Sequence, residues 1–594
     1  MGRQNDKSRP APPLAPLLKG REKNGRRRAE RGADLRAQKG ARRAGDNAPA
    51  TLPPQSWKAW LAPAAIALTL YSYPLGTTPG AHNPNELSRL LLTTSLVHDR
   101  AIQVDAAMPV YGVSQDLSVR EGRHYTDKAP GLSFLAAPLA WALRPILPAH
   151  EKDATFAAYW PLRHVLTFLL CVLPGALLPF WMLRKYPGRS PAARPWIALL
   201  IALTSPLLAY ASSFFGHVPG SVMAVAAYVL LLKPGDLDAR PTARDAWIGG
   251  LLAGLAAFTE YFTAIIGAAI GVALLTRRAG VRVIGPYICA GLIGVAPLFL
   301  YNKAAFGSPF ATGYGFKTDA AHQSFHARGF FGVEFPTGER LWGVLFSARR
   351  GVFYYCPLLL LIPFGCAGMA RRCRRDLLPL LLASFGYIFV ASGFYDWRGG
   401  WCAAARHLVP LIPLGWYPLT DALESMLERA AAGALAALLA GVSLCQTLLT
   451  VAVSPFFPER LPAPLMQLAG AALREGAATP NLLSDLTGLS ARLALAFFIL
   501  SACAAQVAAL WRSAQGGPLG RWMPAIVPTS LALAVGMQAA AMPAETGEVV
   551  VIRAMVLQRI GCREIAATLR QRVTYRPSSG APAAPPQPLA PVSP

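Results

Sequence analysis

The run GLSFLAAPLAWALRPIL, residues 131–147, decides how the rest of the chain is threaded. It is apolar enough to enter a bilayer but short for the roughly 20 residues that a crossing helix needs. Arg144, Pro145 and Pro148 also interrupt its end. If the run crosses, the basic groups at Arg184, Lys185, Arg189 and Arg194 fall outside, followed by Lys233, Arg240 and Arg244, then Arg277, Arg278 and Arg282. If it lies in the outer interface, all of these fall inside, together with Arg371, Arg372, Arg374, Arg375, Arg512 and Arg521. Cytoplasmic loops carry the excess of Lys and Arg, which selects the second threading.

Outward from that run, the expected fold is all-α: a polytopic membrane bundle of about 13 transmembrane helices with large periplasmic loops. The spans are read at 57–76, 161–183, 196–214, 218–233, 247–259, 261–275, 283–300, 351–370, 376–394, 403–423, 430–453, 489–511 and 524–541. The segments 247–259 and 261–275 are too short to cross upright. The outer side receives 78–160, with the run 131–147 as a membrane-lying helix, and then 301–350, 395–402 and 454–488. Residues 1–56 form a basic, disordered cytoplasmic tail, 57–541 the membrane domain, and 542–594 a Pro/Ala-rich C-terminal tail. The first apolar segment starts too deep in the chain for an ordinary signal peptide, so it is expected to be retained.

Composition agrees with a membrane protein. Hydrophobic residues make up 53% of the 594-residue chain and charged residues 15%, well short of the roughly 25% of a soluble domain; the mean hydropathy is +0.35. The net charge of +26 is not a nucleic-acid footprint. Residues 1–57 hold 14 Lys and Arg against five acids, and most of the remaining excess sits in short loops between apolar segments. That pattern is a topology signal facing anionic headgroups, and no nucleic-acid partner is expected. The nine cysteines show neither metal spacing nor a disulfide framework.

The outer loops carry the chemistry. His82-Asn83-Pro84-Asn85-Glu86 follows the first span, and Tyr125-Thr126-Asp127-Lys128-Ala129-Pro130-Gly131 leads into the membrane-lying run. An acid such as Glu86 at the membrane face can take a proton from a hydroxyl, and a Lys such as Lys128 heading an interfacial helix can hold a phosphate whose lipid tail lies in the bilayer. Asp99, Asp105, Asp116 and Glu121 read as ordinary loop acids. Taken in order, these stretches resemble the GT-C superfamily of lipid-linked-sugar glycosyltransferases, which includes the protein O-mannosyltransferases, the aminoarabinose transferases and the oligosaccharyltransferases. Asn85-Glu86 stands at that family's acidic pair, with Asn where the first acid is usual, leaving Glu86 as the carboxylate that carries over. Tyr125 and Lys128 stand at the Tyr-x-x-Lys that contacts the lipid phosphate in the aminoarabinose branch, and Ala129-Pro130 replaces Pro-Pro.

Further stretches resemble uncharacterised bacterial members: Phe214-Phe215-Gly216-His217, Thr259-Glu260-Tyr261, Tyr301-Asn302 with Phe306-Gly307-Ser308-Pro309-Phe310, and Trp397-Arg398-Gly399-Gly400-Trp401 with Arg406-His407. The resemblance covers about 57–490 and does not name a sugar. It implies His217 and Glu260 as substrate-site residues, while Arg398 and Arg406 have the chemistry to hold a phosphate. His322 and His326, spaced i and i+4, lack an obvious third metal ligand. The expected function is therefore a bacterial inner-membrane glycosyltransferase. It would move a sugar from a polyprenyl-phosphate donor, its tail along 131–147, to an envelope acceptor by inverting single displacement. Glu86 would act as base, and Asn85, Tyr125, Lys128, His217, Glu260, Arg398 and Arg406 would bind substrate. No cofactor beyond the lipid-linked donor is required, a divalent metal being left open. The alternatives are a transporter or flippase of a lipid-linked sugar, which would need ionisable residues mid-span and a repeat of interrupted helices, and a non-catalytic relative.

Overall fold

The computed structural model describes residues 56–75, 83–146, 156–187, 189–236, 238–317, 320–514, 519, 522–543, 545–560 and 562–574. The basic tail expected over 1–56 lies outside the described residues except for Ser56. Each of the thirteen apolar segments contains helix. Among the described residues six helices are long and apolar enough to cross a membrane: Pro161–Arg184, Val281–Phe306, Arg374–Gly393, Ala430–Ala452, Ala491–Ser513 and Pro524–Ala541. The protein is thus a polytopic helical membrane protein, and the full count of thirteen crossings is not reached by length and composition alone.

Two ends are defined by which side chains meet. Helices His217–Leu232 and Ala243–Thr259 pack side by side, each about 24 Å long at 1.5 Å per residue. Lys233 Nζ meets Asp245 Oδ2 at 3.2 Å at one end, and His217 Nδ1 meets Glu260 Oε2 at 2.7 Å at the other. The first end collects the basic loops. Arg277 pairs with Asp376 at 2.7 Å, Glu424 accepts from the Arg189 N–H at 2.6 Å, and Asp421 takes Tyr186 and Arg372. Each buried acid is neutralised by an arginine or backbone donor from another loop, so the basic loops are stapled together as well as anchored.

The deciding run is flanked on both sides by the second end. Lys128, just before it, contacts Asp116, and Arg163, after it, contacts Glu86, so both flanks lie at the same end of the bundle. The helical part of the run, Gly131–Leu143, packs against helix Pro84–His98, with Ser133 Oγ donating to the Arg89 carbonyl at 2.8 Å.

What the sequence reading left as polar loop is a small domain with its own core. Asn83 caps helix Pro84–His98, its Oδ1 accepting from the Asn85 N–H at 2.9 Å, and Pro84 occupies the first turn, where no N–H is needed. Strands Leu117–Arg120 and Arg123–Thr126 pair antiparallel through a Glu121-Gly122 turn with φ of +53° and +76°, the left-handed pair that a two-residue hairpin demands. Leu91, Leu132, Leu166 and Phe214 close the core beneath. Of the stretch expected as a C-terminal tail, 575–594 lies outside the described residues, while 545–574 is mostly helical. Helices Gly547–Arg559 and Arg563–Thr574 pack against each other, Val549, Ile552 and Leu557 are buried, and Arg553 Nε donates to the Gln467 carbonyl at 2.7 Å.

Candidate active site

Helix Pro84–His98 presents two functional faces. On one, Glu86 Oε1 accepts three donors: Arg163 Nη2 at 2.6 Å, Arg163 Nε at 3.2 Å and the Phe214 N–H at 2.7 Å. Glu86 Oε2 accepts no hydrogen bond from the described residues. On the other, Arg89 Nε donates to Asn85 Oδ1 at 3.1 Å and Nη1 to the Ala129 carbonyl at 2.6 Å. Gly216 lets the chain pass between them and the next turn. A Cβ there would lie 2.4 Å from the Thr259 carbonyl and 3.3 Å from the Arg89 guanidinium. Asn85 therefore orients a buried arginine, and the segment leading to His217 is held against the same helix.

Lys128 sits in a square of alternating charge. Its Nζ lies 3.0 Å from both Asp127 Oδ2 and Asp116 Oδ2. Lys317, brought in from a loop 189 residues later in sequence by an isolated bridge to Ser118, lies 2.9 Å from Asp127 Oδ2 and 3.4 Å from Asp116 Oδ1. Both ammonium groups lie over the Tyr314 ring, at 5.2 and 5.9 Å. Asp116 is thus no bystander among the loop acids. Each ammonium has three N–H donors and spends two on the carboxylates. Asp127 Oδ1 is buried without a hydrogen-bond partner, and so is Arg406 Nε.

Burial alone would raise the Asp116 carboxyl, but Lys128, Lys317 and Arg406 outweigh it and hold it well below the usual carboxylate range. Burial alone would lower Lys317, but Asp127 and Asp116 hold it above the usual ammonium range. The carboxylate's contribution is complete above its unfolded value of about 4 and is lost as pH falls through the lower folded value. The lysine's is complete below about 10 and is lost as pH rises through the higher folded value. Amide exchange of the hairpin and of residues 313–317 should therefore be indifferent to these two groups between about pH 4 and 10, after correction for intrinsic exchange. Release of this contact inside that window would contradict the pairing.

A cavity of about 620 Å³ opens beside the square, between helices Ala264–Thr276 and Arg374–Gly393 and the 312–335 loop. Its polar end is made by Tyr314, Glu260 and His407, and Phe262, Ile265, Phe389 and Phe394 line the rest. No residue of 131–147 lines this cavity; that helix packs one face against Pro84–His98 and leaves Trp141 exposed. His217 and Glu260 meet at the end of this space, with His407 6.5 Å from His217 between ring centroids. Arg406 is buried, 3.6 Å from Asp396, with its charge felt at Asp116.

Two expected residues are not brought to this assembly. Tyr125 is buried in the small outer core, edge-on to Phe306 at 5.8 Å. Arg398 is exposed, its guanidinium over the Trp397 ring, and its carbonyl accepts from Arg350 Nε at 2.7 Å and Cys402 Sγ at 3.5 Å. Arg350, fully buried, also donates to the Gly400 and Phe457 carbonyls and so fixes the loop that carries Arg406. Among the described residues no group of three or more His, Cys, Asp and Glu could hold a metal ion, and the side chain of His322 lies outside them. His326 Nε2 is 2.9 Å from Thr312 Oγ1. Sequence reading missed Arg89, Arg163, Asp127, Lys317 and Tyr314. Asp127 alone carried a local signal, its place beside Lys128.

No family model matches the sequence, and no curated protein matches it. Among solved structures the chain is similar to two crystal structures of ArnT from Cupriavidus metallidurans. One is bound to undecaprenyl phosphate, with 14% identity and a TM-score of 0.42 over 78% of this chain and 78% of that one. The other is in the apo state, with 14% identity and a TM-score of 0.42 over 77% of each chain.

Proposed function

We propose that this protein transfers a sugar from a polyprenyl-phosphate donor to an acceptor at the periplasmic face of the bacterial inner membrane. The observation that carries the reading is the position of Lys128 and Lys317 on Tyr314, at the polar end of an apolar cavity. One spare N–H on each ammonium and the unpartnered Nε of Arg406 give three donors for a phosphate. The cavity beside them suits an isoprenoid chain. Phosphate is a good leaving group, so catalysis needs chiefly positioning and charge stabilisation at the departing oxygen. Glu86, held at Oε1 by Arg163 and Phe214, would take the acceptor's proton on Oε2 as its oxygen attacks the anomeric carbon, in one inverting displacement. Asn85 and Arg89 would fix that helix, and His217 with Glu260 would meet sugar hydroxyls. The buried charges gather at two ends of the bundle, which speaks against the transporter alternative.

Binding tests the reading. Undecaprenyl phosphate should bind the purified protein in nanodiscs at least roughly tenfold more tightly than undecaprenol, since each charge-assisted hydrogen bond contributes about 1.5–3 kcal/mol. Equal binding of the two would remove the phosphate site. Orientation is tested separately. Cys at exposed Ser324 should react with a membrane-impermeant thiol reagent in intact spheroplasts, whereas Cys at exposed Arg374 should react only after lysis. Cys373 itself is a poor reporter because it is buried. Labelling of Arg374→Cys from outside would invert the orientation.

A further inference from the structure

We infer that the narrow cleft over Arg163 admits the acceptor, a carbohydrate hydroxyl, and that the C-terminal helical hairpin sets its width through Ile560. The inference rests on the transferase reading above and concerns its second substrate. An inverting displacement needs the acceptor on the face of the sugar opposite the leaving phosphate, hence an opening separate from the donor's. A second cleft, of about 60 Å³, shares no lining residue with the 620 Å³ cavity. Its walls include Arg163, Ser212, Ser213, Phe456, Asn481 and Ile560. Arg163 is the residue that holds Glu86 Oε1, so one side chain separates the cleft from the proposed base, on the Phe214 face of helix Pro84–His98. The donor site lies on its Ala129 face, where Ser88 and Arg89 meet Thr126 and Ala129.

The lining chemistry favours hydroxyls. Ser212 and Ser213 donate their protons to the Ala209 carbonyl, which leaves their oxygens as acceptors for an incoming hydroxyl. The width favours a single hydroxyl-bearing arm over a whole ring, the volume being far smaller than the donor cavity's. Ile560 is the hairpin's contribution to the wall, and the hairpin is pinned on both sides of it. Arg559 stacks over Trp401 at 4.9 Å, and Cys562 contacts the Ala478 carbonyl at 4.0 Å. Filling or clearing the Ile560 position therefore changes the cleft and leaves Lys128, Lys317 and Tyr314 untouched.

The test uses membranes holding the full chain and a radiolabelled polyprenyl-phosphate sugar, with transfer into endogenous products as readout. Ile560→Trp should lower transfer by roughly tenfold or more through the acceptor's KM, with undecaprenyl phosphate binding kept within about twofold. Ile560→Ala, which clears the same buried wall position, should also change the acceptor's KM, with undecaprenyl phosphate binding kept within about twofold, even if the Trp variant fails to fold. A parental acceptor KM in the Ile560→Ala protein would overturn the inference. So would release of the transferred sugar by alkaline β-elimination, because that marks a Ser or Thr acceptor. A parent that binds no undecaprenyl phosphate would instead sink the transferase reading, which separates the two failures.

Discussion

Glu86→Gln is expected to lower sugar transfer by about 10²–10⁴-fold, the usual worth of a general base. The geometry adds a second expectation. Because Arg163 is buried on Glu86 Oε1, the amide leaves a cation without its counter-charge. Breaking a buried pair from one side costs roughly 3–5 kcal/mol, less whatever the Gln carbonyl recovers by still accepting from Arg163 and Phe214. Lost activity alone would therefore not identify a base. The split between turnover and donor affinity does: Glu86→Gln should lower kcat while undecaprenyl phosphate binding stays within about twofold. Glu86→Asp keeps the charge on Arg163 while drawing the carboxylate back, so it should melt closer to the parent than the Gln variant does, yet remain slow. A Glu86→Gln protein that transfers at the parental rate would move the proton acceptor elsewhere, with Glu260 on His217 the next carboxylate at the cavity.

Removing the lysines should give the largest effects on donor affinity. Lys128→Ala deletes one spare N–H and half the positive charge of the square, for a loss of roughly 10- to 100-fold at about 1.5–3 kcal/mol per charge-assisted bond. Lys317→Ala should match it, because the two ammonium groups share the same carboxylates and the same ring. Lys128→Arg should lose less than Lys128→Ala, since it keeps a cation between Asp116 and Asp127. The double Ala variant should lose less than the sum, as the two groups are in one network. Undecaprenyl phosphate titrations of the four variants decide this. Parental affinity in both single Ala variants would leave the square as a structural clasp between hairpin and loop.

Much of the architecture was legible because it depends on periodic hydrophobicity and loop charge, which are local. The Arg and Lys clusters that set the expected parity at 131–147 gather at one end, where paired acids hold Arg277, Arg372 and the Arg189 backbone. Helix Pro84–His98 escaped notice because its Asn, Glu, Ser and Arg are buried against other polar groups rather than facing water. Arg163 reads as a flaw in an apolar span until Glu86 is placed on it. Lys317 has no local signature at all, since only the bridge to Ser118 brings it to Asp127. Tyr125 fails in the opposite way. Its spacing from Lys128 suits one motif, yet it belongs to a strand whose side chain at that position enters the outer core, while Lys128 lies beyond the strand's end.

Purified protein in nanodiscs, supplied with a panel of undecaprenyl-phosphate sugars labelled in the sugar and with an envelope extract as the source of acceptor, gives the most direct test of the transferase claim. At least one donor should pass its labelled sugar to a component of the extract as undecaprenyl phosphate appears in equal amount, with turnover reduced by Glu86→Gln and donor affinity by Lys128→Ala. Movement of an intact lipid-linked sugar across a proteoliposome membrane, with no cleavage of any donor in the panel, would contradict it.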